Sequence, residues 1–189
     1  MTKMNFGNEH AGKIRLEDVG KSDWREFKTQ AQRALTAAVA EKFGFRGLVP
    51  LEEDFRELLK KQGLHLKFFV AGTEKIGGAA VLSDEETRRC FVELFFLREE
   101  FQGRGLGVAA WKALERAFPR TRLWKLCTPY FEKRNIHFYV NKCGFRITEF
   151  VNARHRSADE NCNSPDGEEG PWRDELLVFE KPMPRSGLA

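Results

Sequence analysis

The sequence predicts a single α/β (α+β) domain, with a mixed, mostly antiparallel sheet of about six or seven strands flanked by helices. Three observations carry that prediction. The chain has 189 residues, a length that suits one domain around one sizeable core. Helix-period stretches occupy its first third, and strand-length runs separated by turn signals follow. One run, CFVELFFL over residues 90–97, is apolar at odd and even positions alike except at Glu93. A strand apolar on both faces is central and covered on both sides, so helices must lie on each face of the sheet.

Taken in order, residues 1–12 read as a loose terminus, residues 13–183 as the domain and residues 184–189 as a tail. KIRLEDV over 13–19 reads as a first strand. Residues 22–43 read as a helix: Asp23 and Glu26 have the spacing of a capping box, and Trp24, Phe27, Ala31, Ala34, Leu35, Ala38 and Val39 share one face. A second helix follows Pro50, with Glu52, Glu53 and Asp54 in its first turn, Lys60 and Lys61 in its last, and Gly63 as its stop. Residues 64–70 and 76–82 form a hairpin about a Gly72 turn. After the 90–97 strand come a glycine cluster and a helix to Phe118 with Val108, Trp111 and Leu114 in its stripe. A strand at 122–128, a helix at 133–143 closed by Gly144, and strands at 147–152 and 175–180 complete the domain. A polar, turn-rich loop spans 155–171.

Composition narrows the classes of function. With 41% hydrophobic and 32% charged residues the chain is an ordinary globular one, and a net charge of +4 without a clustered basic patch argues against nucleic acid. No apolar run approaches membrane-spanning length and no signal-peptide pattern opens the chain, so a cytoplasmic protein without a membrane partner is expected. Cys90, Cys127, Cys143 and Cys162 have no metal-ligand spacing and are expected as four reduced thiols; the four histidines show no metal or nucleophile spacing either.

The most informative segment is Gln102-Gly103-Arg104-Gly105-Leu106-Gly107, between a buried strand and a helix. Small residues let a ligand approach the backbone, and a helix start offers unpaired N–H groups and partial positive charge. Together these make a seat for a diphosphate. The two earlier helices carry acidic groups at their starts, whereas this one has no Ser, Thr, Asp or Asn there. A Walker loop would need Gly-Lys-Ser/Thr, and the dinucleotide fingerprint GxGxxG is not met. The flanking strands read as antiparallel, not as a βαβ unit.

Gln102-x-x-Gly105-x-Gly107 matches the Q/R-x-x-G-x-G/A motif, and with Phe138-Tyr139 and Gly144-Phe145 it resembles the GNAT acetyltransferase superfamily. The resemblance spans residues 13–183 and is tightest over 93–145. It implies a splayed sheet, acetyl-CoA as co-substrate with no metal, and a pantetheine arm paired with the backbone of Phe95, Phe96 and Leu97. Its pyrophosphate would sit on Gln102, Gly103, Arg104, Gly105, Leu106 and Gly107. A homodimer is also implied by the family.

Amine acetylation needs a neutral amine and a proton for the leaving thiolate. Glu93, the lone charge of its strand, is the candidate base, with a structural ion pair as the competing reading. CFVELFF resembles the Glu-bearing strand of spermidine/spermine acetyltransferases. Tyr139 is the candidate acid; in a chain with 17 Phe and 2 Tyr, a buried tyrosine is expected to have a hydroxyl partner. The family's Asn seven residues earlier is Glu132 here, and Asn135 is expected to replace it at the coenzyme. The acceptor site should combine the first two helices, the Glu93 strand and the loop carrying Asp159, Glu160, Asp166, Glu168 and Glu169, which would suit a cationic small-molecule or peptidyl amine. A non-catalytic acyl-CoA sensor, needing neither Glu93 nor Tyr139, is the rival of a different class.

Overall fold

The computed structural model describes residues 14–163 and 174–184; the expected terminus at 1–12, all but Pro184 of the tail, and Asp166, Glu168 and Glu169 lie outside the described residues. The elements run β1 (Ile14–Asp18), α1 (Trp24–Phe43), α2 (Glu52–Lys60), β2 (Leu64–Ala71), β3 (Glu74–Asp84), β4 (Arg89–Leu97), α3 (Leu106–Ala117), β5 (Leu123–Pro129), α4 (Lys133–His137), β6 (Arg146–Val151) and β7 (Leu176–Pro182). Seven strands form one sheet in the order β1-β2-β3-β4-β5-β7-β6.

All neighbours pair antiparallel except β4 and β5, which are parallel. This corrects the antiparallel reading of the strands around the glycine cluster. A parallel pair needs a crossover, and α3 supplies it. Apolar patterning reports burial and not strand direction, whereas the strand–helix–strand order around Gly105 carried the missing signal.

Alternation along the strands sends neighbours to opposite faces. Phe69, Ile76, Trp124 and Phe179 pack under α3, with Trp111 and Leu114. Phe68 and Phe96 face the other way, onto Phe27, Ala31 and Phe55 of α1 and α2. The sheet is therefore covered on both sides, as the apolar run at 90–97 requires.

Two local expectations are corrected. Asp23 is the N-cap of α1, but its backbone lies in the αR region and its side chain makes no capping hydrogen bond. Asp23 and Glu26 instead face Lys75 Nζ at 3.5 and 2.6 Å, across to β3. At α2 the Asp54 carboxylate does reach back, accepting the Leu51 N–H at 2.6 Å. The cysteines are not four reduced thiols: Cys127 and Cys162 form a disulfide, while Cys90 and Cys143 are free and buried. The 35-residue separation hid a pairing made only when the turn at Glu160–Cys162 folds onto β5. Among the described residues no helix is long and apolar enough to cross a membrane.

Candidate active site

The site begins where two strands part. β3 holds β4 along its whole length, to Gly77↔Leu97. β5 holds the other edge of β4 only from Arg89↔Leu123 to Val92↔Leu126, while its far edge pairs with β7 throughout, from Leu123↔Pro182 to Pro129↔Leu176. Beyond Val92 the two strands diverge. A cleft of about 170 Å³ opens between them, lined among others by Glu93, Phe95, Thr128, Glu132, Asn135 and Tyr139. The unpaired edge of β4 at 93–97 presents backbone groups to that opening.

Glu93 stands at the point of divergence. The β3–β4 register runs Ala80↔Leu94 and then Val81↔Val92, so Glu93 is the extra residue of a β-bulge. A bulge breaks the in–out alternation and re-aims a side chain, which is why a carboxylate is tolerated in a strand otherwise apolar on both faces. Glu93 is not alone there. Its carboxylate accepts a hydrogen bond from Lys61 Nζ, one residue past the end of α2, and Lys61 also donates to Asn161 Oδ1 at 2.9 Å. Burial pushes the Glu93 carboxyl above its ordinary value, against the pull of the Lys61 hydrogen bond and charge. The ion pair that the competing reading of Glu93 expected is thus present, in a carboxylate that also lines the cleft.

Tyr139 lies in the helical segment after β5, which changes pitch. α4 gives way to a π-turn over Phe138–Lys142, with the Cys143 N–H donating to the Phe138 carbonyl at 3.0 Å. The sequence reading extended one uniform helix to 143. The wider turn seats the Tyr139 ring against Phe138, Phe145 and Phe179. Its hydroxyl has no protein partner among the described residues, contrary to the expected one, and Tyr139 lines the cleft. Burial pushes its phenol above the ordinary value, so it keeps its proton at neutral pH.

The glycine loop has the expected form. Gly103 and Gly105 have φ of 71° and 76°, a region L side chains avoid, and a Cβ on either would meet nothing within 4 Å. Gly105 is the N-cap of α3, with no side-chain cap and no acidic residue in the first turn. Outside the helix's own ladder, no described residue accepts from the N–H groups of residues 103–107. A run of free amides at the start of the 12-residue α3, open on its outer side, fits a diphosphate.

The remaining expected residues divide. Asn135 lines the cleft and donates to Thr128 Oγ1 at 3.4 Å. Gln102 braces the loop: its Nε2 donates to the Leu97 carbonyl at 2.8 Å, and its Oε1 accepts from Arg134 at 3.3 Å. Arg104 is exposed. Phe96 packs on Phe27 with ring centroids 5.3 Å apart, and Leu106 is in the opposite core, so each has only its backbone to offer a ligand. Gly107 faces the Phe138 ring, which a Cβ would meet at 3.1 Å.

A second cleft, about 530 Å³, adjoins Glu93 from the α2 side, lined by Asp54, Glu57, Lys61, Glu160, Asn161 and Leu176 among others. Lys61 and Asn161 went unread in the sequence. Lys61 looked like a routine cation in a last helical turn, and Asn161 sits in a loop with no period.

The fold thus pairs free amides at a helix start with a cleft where two parallel strands part. Residues 24–145 match the acetyltransferase (GNAT) family, and the chain belongs to that family of acyltransferases. The uncharacterized protein YrkN of Bacillus subtilis (strain 168) is 40% identical over 153 residues, 80% of this chain and 83% of that one. A Bacillus subtilis acetyltransferase in complex with CoA superposes with a TM-score of 0.62 at 18% identity, over 90% of this chain and 99% of its own. The ribosomal-protein-S18-alanine N-acetyltransferase of Escherichia coli gives 0.64 at 13% identity, over 93% and 97%. A spermidine N-acetyltransferase SpeG chimera from Vibrio cholerae and hSSAT gives 0.62 at 14% identity, over 89% and 95%. These similarities establish the fold and leave the acceptor open.

Proposed function

We propose that the chain transfers the acetyl group of acetyl-CoA to a primary amine by direct attack. The observation that carries this reading is the convergence of Glu93, Asn135 and Tyr139 on one cleft at the point where β4 leaves β5. The amides of residues 103–107 hold the pyrophosphate, and the free β4 edge at Phe95, Phe96 and Leu97 holds the pantetheine arm. Asn135 contacts that arm in place of the family asparagine.

Glu93, hydrogen-bonded to Lys61, takes the proton of the acceptor ammonium, directly or through water. The amine then attacks the thioester carbonyl carbon, the C–N bond forms and the C–S bond breaks. Tyr139, whose hydroxyl is protonated and has no hydrogen-bond partner among the described residues, gives its proton to the departing sulfur, and the acetylated nitrogen sheds its extra proton to the resulting phenolate, directly or through water, to leave the neutral amide. A non-catalytic acyl-CoA binder would need neither a bulge aiming a carboxylate nor a phenol in the cleft. Release of free thiol from acetyl-CoA, measured across a panel of small amines and peptides, tests the proposal. Amine-dependent release supports it; stabilisation by acetyl-CoA without release for any amine refutes it.

A further inference from the structure

Lys61 and Asn161 belong to no step above, yet Lys61 touches the group on which the chemistry turns. Its ammonium hydrogen-bonds Glu93, which lines both the cleft between the strands and the α2-side cleft. That contact is the one an acceptor ammonium makes when it hands its proton to Glu93 directly. The Lys61 side chain is held from both sides, since Asn161 Oδ1 accepts from it at 2.9 Å. Asn161 is itself fixed by the Cys127–Cys162 disulfide and by Asp159, whose carboxylate accepts the Asn161 N–H at 3.1 Å and pairs with Lys125 at 3.1 Å.

We infer that Lys61 is a positioning residue that fills the acceptor ammonium's place beside Glu93, so that acceptor binding exchanges one cation for another. The inference rests on the proposed function and adds an acceptor class: amines that are cationic in solution and can replace an ammonium. Besides Lys61, the charge acting on Glu93 is that of Asp159, and the clefts Glu93 lines carry further acids: Glu53, Asp54 and Glu57 on the α2 side, Glu160 before β7 and Glu132 on the far wall, where Tyr139 is neutral. Among the described residues, Lys61 is the one cation lining the α2-side cleft. An incoming cation thus restores a balance that a neutral amine would leave broken.

The test is the pH dependence of steady-state rate for wild type, K61M, K61Q and K61R with an aliphatic diamine as acceptor. Without the lysine charge, Glu93 binds its proton more tightly, so the acid limb of kcat/KM moves up by about one pH unit in K61M and K61Q. Above that limb the diamine KM falls several-fold, because the internal competitor is gone. K61R restores the wild-type limb. A limb that stays in place, or a KM that rises, in variants still stabilised by acetyl-CoA overturns the inference. E93Q separates the two ideas: if it keeps wild-type activity and its acid limb, the base assignment fails and not the placement of Lys61.

Discussion

Glu93 and Tyr139 are opposite cases of what burial does to an ionisable side chain. Burial raises both, but the carboxylate must lose its proton to work and the phenol must keep its own. The acid limb of activity should therefore lie above the ordinary carboxylate value of 4.5, with rate lost as pH falls through the Glu93 titration. Glu93→Gln should remove that limb and lower kcat by about 10²-fold or more, read by thiol release against pH. Tyr139→Phe should slow turnover by about 10²-fold and leave acetyl-CoA binding intact, because a thiolate can leave unaided. Unchanged turnover in that variant would take Tyr139 out of the mechanism. Both residues were legible in the sequence because each breaks a local rule: a charge in an apolar strand, and a hydroxyl where the chain otherwise uses phenylalanine. Lys61 broke no rule. A lysine at a helix end is ordinary, and only folding brings it to Glu93.

Elements place these groups, and each carries its own consequence. Ala at Gly105 would hold a left-handed φ at a cost of about 1–2 kcal/mol and would turn the amides from their common direction. Gly105→Ala is therefore expected to raise the acetyl-CoA KM about tenfold or more with a smaller change in the acceptor KM, as measured by varying each substrate in turn. The disulfide works on the other side of the site. It ties the 159–163 segment to β5, and with it the Asn161 contact to Lys61. Cys162→Ser should lower stability by about 3–4 kcal/mol from the released loop entropy, and any change in KM should fall on the acceptor and spare acetyl-CoA. Thermal unfolding and the same two-substrate kinetics check both. The glycine loop was readable because its residue types have few uses. The disulfide and the π-turn were not, since one depends on a long-range meeting and the other on how the Tyr139 ring fits between Phe145 and Phe179.

At the scale of the whole molecule, function comes from a sheet that is incomplete in one place. The periodicities of the chain foretold its helices and most strand bounds to within a few residues, and the doubly apolar 90–97 run foretold two covered faces. Direction and register were out of reach: the parallel β4–β5 pair, its end at Val92, and the bulge at Glu93 are settled by partners distant in sequence. Those features make the opening that the edge of β4 lines, and the glycine loop follows from the end of that strand, where Gln102 holds the Leu97 carbonyl. The most direct test is residue-resolved NMR of the backbone amides during titration with CoA. The account predicts large, saturable shifts confined mainly to residues 103–108 and 93–97. Saturable CoA binding that leaves those amides unperturbed, with shifts clustered elsewhere on the sheet, would contradict it.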